Sequence, residues 1–220
     1  MNAIWDYFRA NQSDILSWLR TTLWLAGLPV VIGLAISLPI GWLASRFRWT
    51  YPPVVTTMGL IYTVPSIVIF LILPGILGTG ILDPVNVAIA LTLYTVALLV
   101  RVVADGLSSV DETTLAAASA MGYTNRQRLF AVQLPLAVPV IGAGLRVAAV
   151  SNVSLSAVAS TLGVTQLGEL FTAGLNAPTH QSTPIELGLI MFVLVALVFD
   201  VAILLLIRAA TPWRRVVAAR

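Results

Sequence analysis

LAAASAMGYTNRQRLFAVQLP, residues 115–135, places a run of small side chains, one Gly and a polar Arg- and Gln-bearing segment between two apolar stretches. A chain that leaves a membrane, builds such a loop and re-enters is well suited to dock a second protein there. Ser109 and Glu112 fit a capping box, with Asp111 as a rival N-cap. A helix then runs through Thr114–Met121, rich in Ala, and Gly122 suits the left-handed residue that ends it. Thr124 and Gln127 form a second capping box, opening a short helix through Arg128 and Phe130. Leu134-Pro135 closes the segment, with Pro135 in the first turn of the next span. Small side chains at Ala116, Ala117, Ala118, Ser119 and Ala120 would let the helix sit deep in a partner's groove. The alternative is an amphipathic connector resting on the bilayer.

Composition supplies the membrane. Of 220 residues, 59% are hydrophobic and 10% are charged, with a mean hydropathy of +0.97. A soluble domain carries about a quarter charged residues. Crossing a hydrocarbon layer of ~30 Å takes roughly 20 apolar residues in a helix. Five segments qualify: Thr22–Ala44, Val54–Leu73, Val85–Ala104, Leu134–Leu155 and Ile185–Ile207. The expected fold is an all-α integral membrane protein, a single transmembrane domain over residues 1–220 with five transmembrane helices. A loop at 106–133 joins the third and fourth helices, and an outer loop at 156–184 joins the fourth and fifth. The first span is too long for the apolar region of a secretory signal and is read as retained.

Arg placement sets the orientation, because short cytoplasmic loops collect positive charge. Arg46 and Arg48 follow the first span, Arg126 and Arg128 lie between the third and fourth, and Arg208, Arg214, Arg215 and Arg220 follow the fifth. Loops 74–84 and 156–184 contain no Arg. The N-terminus is expected outside and the C-terminus in the cytoplasm, in a multi-pass protein of the cytoplasmic membrane whose other partner is lipid. Within residues 1–21, Ile4, Trp5, Phe8, Ile15, Trp18 and Leu19 recur at helical spacing among charged residues. They suggest an amphipathic lead-in along the outer interface with Trp at headgroup depth; a loosely ordered lead-in is the alternative.

Several chemistries drop out. The chain has no Cys, which removes disulfides and thiolate sites, and a single His, His180, which removes a multi-His metal site. All twelve basic residues are Arg. A phosphate-binding Walker A loop needs Lys to reach the β/γ-phosphates, so this chain is no conventional ATPase by itself. Arg at cytoplasmic faces accounts for the high isoelectric point without a nucleic-acid partner. No catalytic residue, metal site or cofactor is expected in the chain.

Charges inside spans are functional candidates. Arg101 and Asp105 lie one turn apart at the inner end of the third span, and an interfacial pair is favoured over a gate. Arg146 lies about 18 Å along the fourth span at 1.5 Å per residue. Asp200 could pair with Arg101 or, less comfortably for depth, with Arg146, and a structural pair is favoured over a substrate contact. Gly33, Gly41, Gly142 and Gly144 suit close helix packing. Pro65 and Pro139 interrupt their helices and could kink them. Tyr62, Phe70 and Tyr94 could line a route for a quaternary ammonium solute, with packing as the alternative. The outer segment, with Gly163, Gly168, Gly174, Pro178 and Pro184, could hold a short helix or re-entrant turn facing a binding protein, and His180 reads as a solvated loop residue.

The docking loop resembles the EAA motif of ABC importer permeases: Glu-Ala-Ala, three residues, Gly, then Leu-Pro. The pattern falls on Ala116-Ala117-Ala118, Gly122 and Leu134-Pro135. Ala116 departs from it, since the family usually has Glu there, which removes a charge-based contact but not the steric role of Ala117 and Gly122. Tyr62-Thr-Val-Pro-Ser66, Val110-Asp111, Met121-Gly122-Tyr-Thr124, Gln133-Leu-Pro-Leu-Ala-Val-Pro-Val-Ile141, Gly144-Leu-Arg-Val-Ala148, Thr161-Leu-Gly163 and Leu167-Gly168 look like the glycine betaine/carnitine/choline branch. The resemblance implies a bacterial permease subunit whose loop is a coupling helix seated on a separate ATP-binding subunit, where ATP and Mg would bind. It also implies a second permease subunit, identical or homologous, and an extracytoplasmic substrate-binding protein delivering an osmoprotectant such as glycine betaine. A methionine-type amino-acid permease and an ion-coupled secondary transporter are the rival readings.

Overall fold

The computed structural model describes residues 2–177 and 182–213, and the elements among them are helical. Pro178 and His180, and Arg214, Arg215 and Arg220 used for the orientation, lie outside the described residues.

A short helix, α1 (Asn2–Ala10), precedes α2 (Gln12–Arg46), a helix of 35 residues and about 52 Å. The expected lead-in is therefore split at Asn11. No Gly or Pro stands between Gln12 and Ala26, so nothing ends the helix before the span begins. Ile15 is fully buried, and Ile4, Tyr7 and Phe8 of α1 pack beside it against Leu187, Phe192 and Val195. Trp5 stays half-exposed, with the Arg9 guanidinium 4.9 Å from its ring centroid.

The expected second span is broken into α3 (Tyr51–Thr63) and α4 (Ser66–Leu77), whose axes bend by 97°. Pro65 causes the break, since its ring disfavours a helical conformation at Val64 and it has no N–H to donate. Val64 and Pro65 are accordingly extended, at ψ 130° and 133°. At 13 and 12 residues the halves reach about 20 and 18 Å, too short for either to cross alone. Among the described residues four helices are individually long and apolar enough to span, and the bent pair qualifies as a fifth only when its two halves are taken together as one span.

At the centre lies α5 (Pro84–Ser108), opened by the Asp83 cap and packed against α2, α3 and α4. Close approach to α2 depends on missing side chains. A Cβ at Gly41 would lie 2.6 Å from Val103 Cβ and 2.9 Å from the Val100 carbonyl oxygen, and one at Gly33 would collide with Thr95. Gly41→Val is expected to cost about 1–3 kcal/mol through overpacking. Thermal unfolding of the purified chain in detergent measures it, and an unchanged midpoint would refute this contact.

After α5 come α6 (Glu112–Ala120) and α7 (Asn125–Arg128), then α8 (Leu134–Val158). Pro135 stands in the first turn of α8, as expected, but no break separates the loop from the span there. A π-helical turn over Leu129–Gln133 joins α7 to α8, so the helix runs from Asn125 to Leu162 without interruption. The wider turn lies directly before Pro135, whose missing N–H a regular α-helix could not accommodate without loss. Pro139 sits inside α8 without ending it. A 3₁₀ turn (Ala159–Leu162) ends at Gly163, φ +84°, and α9 (Glu169–Asn176) follows as the short helix expected in the outer segment. The last helix, α10 (Ser182–Ala210), packs on α8 and α9.

Candidate functional site

The loop between α5 and α8 is built from its caps upward. Asp111, not Ser109, is the N-cap of α6: its carboxylate accepts the Thr113 backbone N–H at 3.3 Å and the Thr113 hydroxyl, while Ser109 terminates α5. Those bonds, the hydroxyl's first, hold the Asp111 carboxyl below the usual carboxylate range. A depressed value means the charged cap persists above it and is lost only as pH falls through it. At the other end Gly122 adopts φ +84°, the left-handed conformation expected of it. Thr124 and Gln127 then form the reciprocal capping box.

Leu115 and buried Ala118 turn toward the helix bundle, where Leu115 packs with Leu107, Val110 and Leu129. Ala116, Ala117, Ser119, Ala120, Gly122 and Tyr123 are exposed, as is Met121. The free face is thus a ridge of small side chains flanked by two larger ones. Arg128 donates to the Ser119 hydroxyl at 3.0 Å, bracing α7 against α6. Gln133 donates to the Leu107 carbonyl at 3.0 Å, tying the π turn to the end of α5. A push on α6 would reach α8 directly, because α7 and α8 are one continuous helix.

At membrane depth, polar groups collect where α3 breaks. Tyr94 lies about 15 Å along α5 from Pro84. It is 4% exposed, and its hydroxyl donates to the Val64 carbonyl beside Pro65. Unpaired backbone is costly in hydrocarbon, so irregular backbone at this depth needs protein or a watery cavity against it. Tyr94 supplies the protein partner. Tyr94→Phe is expected to destabilise the purified chain by about 1–3 kcal/mol by orphaning that carbonyl; equal thermal midpoints would refute it. Tyr62 meets the Tyr94 ring edge-on at 5.9 Å between centroids and is 44% exposed, so its ring stays open to a ligand. Phe70 is buried in the core with Leu25, Leu91 and Val164.

Arg146 and Asp200 meet across α8 and α10 in a bidentate pair, with both nitrogen–oxygen distances 2.7 Å. Arg101 instead pairs with Asp105 at 3.6 Å, one turn along its own helix, and Asp105 also accepts the Tyr51 hydroxyl at 2.6 Å. The alternatives left open for Asp200 are thereby decided in favour of Arg146.

Two polar contacts went unrecognised in the sequence. Asn152 of α8 donates to the Thr95 hydroxyl of α5 at 2.8 Å, beside Tyr62 and Tyr94. Thr22 donates to Gln166 at 3.3 Å and accepts the Leu167 N–H at 3.0 Å, pinning the outer segment to α2. Polar residues at span depth mark such contacts in a sequence, but pairing 144 residues apart is decided only by packing.

Residues 33–216 match the family described as binding-protein-dependent transport system inner membrane component. The chain is similar to an osmoprotectant import permease protein of Salmonella typhimurium, 32% identical over 88% of this chain and 90% of the relative. It is also similar to a carnitine transport permease protein of Listeria monocytogenes, at 30% over 92% and 91% of the two chains. A glycine betaine/carnitine/choline transport system permease protein of Bacillus subtilis is 26% identical over 96% and 95%. Among solved structures, the inward-facing MetNI methionine ABC transporter matches with a TM-score of 0.78 at 21% identity, over 91% of this chain and 97% of that one. This shared fold agrees with the all-helical bundle, and with a family model that covers residues 33–216 the chain belongs to the family of binding-protein-dependent transport system inner membrane components.

Proposed function

We propose that this chain forms half of the translocation pathway of an ATP-driven importer for a compatible solute such as glycine betaine, choline or carnitine. The observation that carries the reading is the exposed small-residue ridge of α6, ended by left-handed Gly122 and joined through α7 to a full-length span. It suits a socket on a separate ATP-binding subunit, where ATP and Mg would bind and be turned over. Closure of two such subunits would carry α6 and the α7–α8 helix with it, rocking the bundle between inward- and outward-facing states. A second permease subunit, identical or homologous, would supply the other half of the pathway. An extracytoplasmic receptor would deliver the solute and set most of the selectivity.

The solutes for which the relatives are named support the solute class, and the exposed ring of Tyr62 has the chemistry for a quaternary ammonium group. The orientation proposed is N-terminus outside and C-terminus cytoplasmic. Arg46, Arg126 and Arg128 gather at one end of the bundle, as the positive-inside rule requires of a cytoplasmic face.

Reconstitution of the chain with its ATP-binding subunit and receptor in liposomes tests this. ATP-dependent uptake of labelled glycine betaine is the expected result. Receptor binding of methionine with no affinity for any quaternary ammonium compound would refute the solute class. Uptake that persists with the ATP-binding subunit inactivated would favour an ion-coupled carrier and refute the importer.

A further inference from the structure

At the Arg-bearing end of the bundle, a hollow of about 380 Å³ opens between α2 and the start of the α7–α8 helix. Arg46, Arg126, Arg128 and Gln133 line it together with Trp42 and Leu129. Arg46 and Arg126 are exposed and enter neither ion pair found among the described residues, which join Arg101 to Asp105 and Arg146 to Asp200. Concentrated cations without carboxylates create a local potential that favours an anion.

The hollow does not end at the Arg cluster. Trp42, Arg126 and Leu129 also border a second, apolar hollow of about 350 Å³, walled by Leu38, Leu107 and Leu134. Leu38 and Leu134 in turn border a third, of about 320 Å³, that continues past Leu34 and Val138 toward α10. From Arg46 to Leu34 this track follows α2 for about 18 Å. One leaflet of a ~30 Å hydrocarbon core is of comparable depth. Below Arg126 its lining is apolar, a poor match for a hydrophilic solute and a good one for an acyl chain. Trp42 stands where the charged and apolar parts meet, the position at which Trp anchors a membrane interface.

We propose that this track is a binding site for an anionic phospholipid, with its phosphate held by Arg46, Arg126 and Arg128 and one acyl chain laid between α2 and α8. Such a lipid would sit beside the loop of α6 and α7 and brace the junction through which that loop joins α8. The inference concerns a lipid site and stands apart from the solute and the ATP-driven mechanism.

Native mass spectrometry of the detergent-purified full chain provides the test, with phosphatidylglycerol and phosphatidylcholine of matched acyl chains added together. Preferential retention of phosphatidylglycerol is expected. Each juxtamembrane Arg contributes a factor of about five toward an anionic surface. The R46Q/R126Q double variant should therefore lower that preference by about tenfold or more, and R46K/R126K should keep most of it. L38W, which fills the apolar track, should reduce retention with the Arg cluster intact. Raising the salt concentration should erode the wild-type preference, a readout that needs no variant and survives a Gln pair that does not fold. Equal retention of the two lipids by the wild-type chain would overturn the proposal. So would competition by glycerol 3-phosphate as strong as by lipid, which would mark a headgroup-only anion site. Complete displacement of the lipid by an added ATP-binding subunit would overturn it in favour of a protein partner on the Arg cluster.

Discussion

Gly122→Val is expected to uncouple the transporter: the chain inserts and purifies normally, while ATP-driven uptake falls more than about tenfold. The reason lies in the backbone. Gly122 holds φ +84°, and an L-residue there costs about 1–2 kcal/mol, with a β-branched side chain at the unfavourable end. A strain of that size shifts a local equilibrium by a factor of about 5–30, enough to move α6 out of its position relative to α7. Among the described residues, nothing beyond its chain neighbours lies within 4 Å of a Cβ at this position, so no clash with them contributes. Two substitutions then separate backbone from partner. Gly122→Asn tolerates the left-handed conformation and should retain most association if backbone geometry is what the site needs. Gly122→Ala should fall between Asn and Val. Co-purification of the ATP-binding subunit, followed by uptake in proteoliposomes, reads the series. Normal transport by the Val variant would sink the assignment of this loop to coupling.

Asp200→Leu should be the most damaging single change within the spans. It leaves the Arg146 guanidinium at membrane depth without the fork of two 2.7 Å bonds that Asp200 now accepts. An unpaired ion there is far more costly than the paired one. The expected result is about a tenfold fall in monodisperse chain recovered by size exclusion. Arg146→Leu should cause a similar loss, by orphaning the carboxylate. The double variant R146L/D200L should recover much of the yield, because two apolar side chains replace the pair without stranding either charge. If the double variant folds but transports nothing, the pair acts in the transport cycle as well as in the bundle. If the double variant is no better recovered than the singles, the pairing is not what holds α8 to α10.

The docking loop was readable because its signals are local. Small residues, capping boxes and a helix-ending Gly act within a few positions of themselves, so Gly122, Thr124 and Gln127 stand where their chemistry requires. Asp111 displaced Ser109 as the cap, a choice between neighbours that rests on the exact end of α5. The course of the chain after Gln127 was less readable. Pro135 signals an interruption locally, but a single π turn absorbs it and the helix continues. Pro65 looks much the same in sequence and produces a 97° bend instead. The difference is tertiary: Tyr94 from α5 offers the freed Val64 carbonyl a donor, so the bent conformation is paid back in bonding.

The sequence alone determined that this is a helical chain with several membrane-spanning segments and what shape its exposed loop takes, because hydropathy and capping are properties of short segments. Tertiary structure decided which polar groups meet. Asp200 could reach toward Arg101 or Arg146, and only the packing of α10 on α8 selects the latter. Thr22 and Gln166, and Thr95 and Asn152, find one another for the same reason. A polar side chain in hydrocarbon must be satisfied, but which partner satisfies it is set by which helices the close-packing glycines allow to touch.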